Sequence, residues 1–132
     1  MKASQEARRT DDAGGVLVEF VLIAILVVII ALGIVQLATA LHVRNMAISA
    51  ASEGARLAAA YDQGLTQGEV RSREVLAGSI GDYPAEIEAS LTTVSGVEAV
   101  VVEIEAPVPV FGLWGIGSLR VQAHALKEVD RG

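Results

Sequence analysis

The chain has no cysteine, only two histidines and five aromatic residues among its 132 residues. Without cysteine no disulfide can form, and two histidines leave too few ligands for a zinc or iron–sulfur site. We therefore expect neither a metal site nor a cofactor. Catalysis is not expected either, because no serine stands in a Gly-x-Ser-x-Gly setting. His42 adjoins the apolar segment and His124 is expected on the outer side of a strand, away from any cleft.

Positive charge is also scarce, with ten Lys and Arg against sixteen Asp and Glu and a formal net charge of −6. From Leu41 onward there are seven basic and twelve acidic residues. An acidic surface repels phosphate backbones, so nucleic acid is excluded as an expected partner. The simplest interpretation of the charge is a solvated, soluble surface.

Long hydrophobic runs are limited to one, from Val16 to Leu41, and no second run approaches membrane-spanning length. A helix over Phe20–Leu41 is long enough to cross a hydrocarbon core of about 30 Å. The remaining residues have ordinary globular composition and are too few to enclose such a helix. The sequence therefore predicts a single-pass membrane protein. The Lys and Arg residues before the run weakly favour a cytoplasmic N-terminus.

Glu19 interrupts the apolar run, and a carboxylate inside a bilayer is costly unless it lies near the interface or has a cationic partner. Gly14-Gly15 stands just before it. If the chain were cut between the two glycines, the new ammonium at Gly15 would lie four residues from Glu19, on one face of a helix. An ammonium from a neighbouring subunit would serve equally well. The other interpretation is that Glu19 lies at the interface and extends toward water.

The N-terminal region resembles the class III signal of type IV pilin-like proteins. It has a short leader with basic residues, then a glycine, a glutamate five residues later and an apolar helix. This resemblance implies cleavage by a prepilin peptidase between Gly14 and Gly15, with Glu19 as the assembly glutamate. Gly15 departs from the phenylalanine common at this position, which points to the tight-adherence subclass. Two alternatives stay open. Signal peptidase could cut after Ala38-Thr39-Ala40, or the helix could be a plain uncleaved anchor.

Beyond the membrane the helical pattern continues through residues 42–61, rich in alanine. Ala50, Gly54 and Ala58 form a small-residue stripe that lets another backbone approach closely. The stripe packs either against the protein's own strands or against sister helices in a filament. Glu53 and Arg56 lie three residues apart, a spacing at which they are able to pair.

The same stretch contains Glu53-Gly54-Ala55-Arg56 in the context Ala-Ala-Ser-Glu-Gly-Ala-Arg. It is similar to an element of TadE-like minor pilins of tight-adherence (Tad) pilus systems. The resemblance covers residues 14–61. It implies a bacterial inner-membrane protein with its C-terminal domain outside, a possible place in the pilus, and a link to cell adhesion. The implied partners are the prepilin peptidase, other minor and major pilins, the assembly platform and its ATPase.

The C-terminal domain is expected to begin with a helix from Thr66 to about Ile80. Thr66 and Glu69 fit a capping box. The apolar positions Val70, Ala77 and Ile80 are expected to form the buried side of this helix.

Three strands are expected after Pro84. They are 88–94, a strong strand 97–106 ended by Pro107 and Pro109, and 118–127, with a Ser95-Gly96 turn between the first two. Val100, Val102 and Ile104 are expected to face inward, as are Leu119, Val121, Ala123 and Ala125. Arg120 is expected to face Glu103 or Glu105 across the strands.

The glycine-rich segment Phe111–Gly117 lies between two strands and lacks a following helix, so it is no dinucleotide loop. It is either a hairpin connection over the core or an exposed apolar tip that meets another subunit.

The sequence as a whole predicts an α+β protein. A long membrane-spanning helix extends into a small domain of one further helix and a three-stranded antiparallel sheet. The expected divisions are a leader at 1–14, a membrane helix at 15–41, its continuation at 42–61 and the small domain at 62–132. The expected function is that of a minor pilin or pseudopilin. The alternative is a single-pass anchored binding or sensor domain that never assembles into a filament.

Overall fold

The computed structural model describes the backbone of residues 2–60, 62–108 and 117–128, and side chains from Gly14 onward. The elements in chain order are α1 (Lys2–Ala59), α2 (Leu65–Ile80), β1 (Glu86–Val94), β2 (Val97–Val108) and β3 (Gly117–Leu126). This architecture confirms the predicted α+β class, with a long apolar N-terminal helix, one further helix and three strands. The segment Phe111–Gly117 lies outside the described residues except for Gly117.

The chain divides into two compact units, Met1–Leu37 and Ala38–Gly132. The first is helical, and its apolar side chains are exposed, as Phe20 at 68% and Leu22 at 62% illustrate. Among the described residues, α1 from Gly14 to Ala59 is the one helix long and apolar enough to cross a membrane. Its most apolar window has a mean hydropathy of 3.2 and none of it is buried within the protein. Such a surface suits a helix surrounded by lipid.

The second unit contains a three-stranded antiparallel sheet in the order β1-β2-β3. Alternation along the strands turns one set of side chains inward, and Val100, Val102 and Ile104 of β2 are fully buried. Val121 of β3 is buried with them, as the sequence predicted. The predicted two-residue turn between β1 and β2 is also confirmed. Ser95 and Gly96 both have positive φ, 51° and 82°, as this tight hairpin turn requires.

Alanines of α1 build the helical side of the core. Together with Leu76 of α2 and the inward residues of the sheet they form one cluster of buried side chains. Small side chains on α1 bring its backbone near its neighbours, so the core contains little side-chain volume from this helix. The α1 members of the cluster are Ala47, Ala50, Ala51, Ala55, Ala58 and Ala59.

The start of α2 differs from the predicted capping box. The helix begins at Leu65, after an N-cap at Gly64 whose backbone N–H donates to Gln67 Oε1 at 3.1 Å. The prediction of Thr66 and Glu69 as the box is wrong, because the Glu69 carboxylate has another donor. Glu69 Oε1 accepts a hydrogen bond from the Ala89 backbone N–H of β1 at 3.0 Å. That N–H lies on the outer edge of the sheet, where no strand is available to accept it.

The buried side of α2 was also predicted wrongly. Val70 is 52% exposed, whereas the buried residues are Gly68, Ser72 and Leu76. Of the three predicted positions, only Ile80 packs against the core. The reason is that α2 meets α1 through the small residues Gly68 and Ser72, which turn inward together with Leu76.

β2 extends past the predicted stop and includes Pro107, which pairs with Ser118 of β3. The Pro107 carbonyl accepts a hydrogen bond from the Tyr83 hydroxyl. In an antiparallel strand the N and C=O of one residue point to the same side. The backbone N and C=O of Pro107 therefore point toward the β1 side of the sheet. Because β1 begins opposite Glu105 and does not reach Pro107, the missing N–H costs no hydrogen bond between strands.

Candidate functional site

The predicted cleavage junction and the predicted assembly glutamate lie on exposed helix in the first unit. Gly14 and Gly15 have open space around them, since an added Cβ would meet nothing within 4 Å. Glu19 is exposed and forms no ion pair or hydrogen bond with any described residue. Residues 15–19 are helical, so Glu19 lies about 6 Å along the axis from Gly15, on the same side of the helix.

The element Glu53-Gly54-Ala55-Arg56 divides between two sides of α1 in the second unit. Gly54 and Ala55 are buried, while Glu53 and Arg56 are exposed. The spacing of Glu53 and Arg56 allows them to pair, but the structure does not show this pair. Neither side chain forms an ion pair with a described residue, because each extends away from the helix into solvent. The element therefore combines an inward packing function with two unpaired outward charges.

Gly54, in the inward half of this element, lies close against α2. A Cβ added to Gly54 would lie 1.9 Å from Ser72 Oγ and 2.5 Å from the Gly68 carbonyl oxygen. A Cβ added to Gly68 would lie 2.6 Å from Ala58 Cβ. All three distances are far below van der Waals contact, so each helix requires glycine where the other crosses it.

A buried hydrogen bond fixes the same crossing. The Ser72 hydroxyl donates to the Ala50 backbone carbonyl at 3.0 Å, and Ser72 is fully buried. A buried hydroxyl needs such a partner, because leaving it unpaired would cost about 1–3 kcal/mol. The structure thus places the stripe Ala50, Gly54 and Ala58 against α2 of the same chain. In the sequence, the four-residue step from Gly68 to Ser72, which matches the step of the stripe, is the pattern that indicates this contact.

The outer face of the sheet carries a cluster of charged side chains. Arg120 Nη2 lies 2.7 Å from Glu105 Oε2, and Arg120 Nε lies 3.2 Å from Glu103 Oε1. Both contacts expected from the sequence are therefore present. The Gln122 amide also donates to Glu103. The hydrogen bond from Arg120, with help from the Ser118 hydroxyl and the nearby positive charge, lowers the pKa of the Glu105 carboxyl.

This outer face lies beside a shallow cavity of about 370 Å³ lined by four glutamates, Ile87 and Arg120. Within the described ranges no three His, Cys, Asp or Glu side chains are placed to hold a metal ion. The arrangement can attract a cationic surface.

A comparison with protein families gives one match. The family described as TadE-like protein matches residues 14–56. This range contains Gly14, Glu19, the apolar helix and the Glu53–Arg56 element, and it excludes α2 and the sheet. The resemblance found from the sequence is confirmed, and the chain is TadE-like over this region. No curated protein and no solved structure gives a match.

TadE-like proteins are components associated with Tad pilus systems. The matched region, with its one helix able to cross a membrane, is therefore similar to the membrane-helix region of Tad pilus-associated proteins.

Proposed function

We propose that the chain is a minor pilin or pseudopilin of a Tad-type pilus, processed by prepilin peptidase and taking part in pilus assembly or initiation. The observation that carries the proposal is the extent of the TadE-like match. It starts at Gly14, contains the whole apolar helix and Glu19, and ends at Arg56. The family thus shares with this chain the segment a pilin needs for processing, anchoring and filament formation.

Processing begins with the chain inserted N-terminus inward. The peptidase cuts after Gly14 on the cytoplasmic side, and Gly15 becomes the first residue of the mature subunit. The apolar helix keeps the subunit in the membrane until the assembly platform and its ATPase draw it into a filament. The open space around both glycines leaves the junction accessible to a membrane peptidase.

Glu19 supplies the electrostatic drive for assembly. A carboxylate near the centre of a membrane helix costs about 2.5–3.5 kcal/mol on insertion scales, and less near the interface. Glu19 has no described partner within its own chain to offset that cost. The new ammonium of Gly15, of the same or a neighbouring subunit, neutralises it as subunits add.

The second unit lies outside the cytoplasm and contacts other pilins. Its outer sheet face is acidic, with Glu103 and Glu105 beside Arg120. We assign it a structural role and no catalytic one, since its charged groups form a surface and not a closed site.

The test compares cells that carry the Tad machinery with otherwise identical cells that lack the prepilin peptidase. The chain is followed by immunoblotting in membranes and in filaments sheared from the cell surface. We expect it in the membranes of both strains and in filaments only where the peptidase is present. Retention in the membranes of both strains, without any in filaments, would support an anchored binding or sensor domain and contradict the proposal.

A further inference from the structure

The sheet has two edges, and the chain protects only one of them. On β1 the backbone N–H of Ala89 points away from β2 and donates to the Glu69 carboxylate of α2 at 3.0 Å. This carboxylate blocks the middle of the β1 edge, where an approaching strand would otherwise find a free donor. The opposite edge belongs to β3, the last strand in the order β1-β2-β3.

The register identifies the backbone groups of β3 that lie on its free side. In an antiparallel pair, residues that exchange hydrogen bonds with the partner strand alternate with residues whose N–H and C=O point away from it. The Lys127 N–H, just past the end of β3, donates to the Glu98 carbonyl at 3.0 Å, so the odd-numbered residues bond to β2. The even-numbered residues turn their backbone groups away from β2. We call them the open edge of β3: Ser118, Arg120, Gln122, His124 and Leu126.

The open edge of β3 is long and unobstructed. Its residues are all exposed, and within the described part of the chain no hydrogen bond reaches their backbone N–H or C=O groups. β3 pairs with β2 in one unbroken register, without a bulge, and contains no proline. Charges, bulges and proline are the usual protection of an edge strand. The guanidinium of Arg120 is turned toward Glu103 and Glu105 of β2, so this charge does not guard the edge either.

The side chains along β3 indicate which kind of strand fits beside it. β1 contains two glutamates and β2 three, whereas β3 contains no acidic residue and has Arg120 and His124 on its outer face. On the inner face Leu119, Ala123 and Ala125 are only partly buried. A strand added here places its alternate side chains beside these two rows. Acidic side chains suit the outer row, and apolar side chains cover the inner row.

We propose that the open edge of β3 binds an extended segment of another protein in which acidic side chains alternate with apolar ones. Backbone hydrogen bonds hold the segment, and the alternating side chains select it. β2 has this pattern on the other side of β3, since Glu103 and Glu105 contact Arg120 while Ile104 is fully buried. The docking goes beyond the proposed function, because it requires neither cleavage at Gly14 nor entry into a filament.

Amide hydrogen exchange in the full-length chain, labelled with nitrogen-15 and held in detergent micelles, tests the docking. The probe is a short synthetic peptide of alternating glutamate and valine. We expect it to slow exchange several-fold at Arg120, Gln122 and His124, whose N–H groups point out of the sheet. The N–H groups of Leu91 and Thr93 point out of the sheet at the β1 edge and are expected to keep their rates.

A peptide of alternating lysine and valine is the matched control for the probe, because it has the same apolar content and the opposite charge. We expect it to leave the exchange rates of the open edge unchanged. Equal protection by the two peptides, equal protection of both sheet edges, or no protection by the glutamate peptide would overturn the inference.

Two variants test the backbone and the charge separately. Gln122→Pro removes one outward N–H without removing a hydrogen bond to β2, and is expected to abolish binding of the glutamate peptide. Thr93→Pro removes an outward N–H from β1 and, as the matched control, leaves binding unchanged. His124→Glu keeps the backbone intact but adds a negative charge to the outer row, so it is expected to weaken binding several-fold. Unchanged binding to Gln122→Pro or to His124→Glu would contradict the proposal.

A second copy of this chain is the competing occupant of the open edge. If two copies pair through β3, protection of the same amides rises with protein concentration when no peptide is present, and that result would overturn the inference. The measurement uses neither filaments nor the prepilin peptidase. Failure of the docking therefore leaves the pilin proposal standing, and absence of the chain from filaments leaves the docking standing.

Discussion

At the scale of single residues, glycine sets the distance between α1 and α2. Gly54 and Gly68 face each other so closely that neither tolerates a Cβ without movement of the other helix. The Gly68 carbonyl oxygen, which belongs to the backbone, and the Ser72 hydroxyl occupy the space that a Cβ at Gly54 would need. Because backbone cannot rotate away as a side chain can, an added methyl group at Gly54 must push the helices apart.

The first prediction concerns Gly54→Ala. We expect it to lower the free energy of unfolding by about 1–3 kcal/mol, the usual cost of overpacking a core. Thermal unfolding of the detergent-solubilised protein, followed by circular dichroism, measures the change. Gly78→Ala on α2 is the matched control, because its added Cβ meets nothing within 4 Å. It is expected to be neutral or mildly stabilising, since alanine favours helix over glycine. Equal melting temperatures for the two variants would contradict the tight crossing.

The second prediction concerns Glu19, whose proposed importance is its charge. Glu19→Ala and Glu19→Gln are expected to insert into the membrane normally, because both remove a costly carboxylate from the apolar helix. Both are expected to be absent from sheared filaments, because no carboxylate is left to neutralise the ammonium of Gly15. Glu19→Asp keeps the charge and is expected to retain part of the incorporation. Normal incorporation of Glu19→Gln would remove this residue from the mechanism.

At the scale of elements, the outer face of the sheet concentrates like charges. Glu86 lies directly opposite Glu105, and Glu88 lies opposite Glu103. Carboxylates facing each other across strands repel, so this arrangement is destabilising unless a cation relieves it. Arg120 is directly opposite Glu105 and also contacts Glu103. The ion pairs of Arg120 therefore hold β3 to β2 in addition to the backbone hydrogen bonds between these strands.

The third prediction follows from the lowered pKa of Glu105. Arg120 is the main cause of the shift, so Arg120→Gln is expected to raise the Glu105 pKa toward its ordinary value. The stability linked to a lowered carboxyl pKa is present above the unfolded-state value and is lost as pH falls through the folded value. The wild-type protein should therefore lose more stability on acidification than the variant does. Carbon-13 NMR titration of the Glu105 carboxyl measures the shift. An unchanged Glu105 pKa in Arg120→Gln would contradict the pairing.

Local pattern was sufficient to predict the strands. Alternation of apolar and polar residues in β2 and β3 predicted both faces, and the Arg120 contacts followed from register. The failures lie where distant residues compete for a group. The Thr66–Glu69 capping box was plausible locally, but the edge N–H of Ala89, twenty residues on, takes the Glu69 carboxylate. No local pattern contains that competition.

The contact between α1 and α2 was missed for a related reason. A hydrophobic pattern selects large side chains as the buried face, and for α2 this favoured Val70. Helices that approach through glycine bury their smallest residues instead, so the apolar pattern misleads. The paired steps Gly54–Ala58 and Gly68–Ser72 were visible in the sequence, but nothing local indicated that they meet each other.

At the scale of the whole molecule, the TadE-like region and the rest of the chain have different tasks. The region 14–56 contains the apolar helix, the junction at Gly14-Gly15 and the Glu53–Arg56 element. Its inward residues also complete the core of the second unit, through Ala50, Ala51 and Ala55. The residues that begin as a membrane anchor thus continue into the packing of the small domain. One segment serves both anchoring and folding.

The central claim is that this chain is a processed pilin-like subunit, and its N-terminus tests the claim most directly. The chain is extracted from the membranes of its host, and its first residue is identified by mass spectrometry of the intact protein and of its N-terminal peptide. The account predicts Gly15. A chain that begins at Met1, as an uncleaved anchor would, or at Leu41, as cleavage by signal peptidase after Ala38-Thr39-Ala40 would produce, contradicts it.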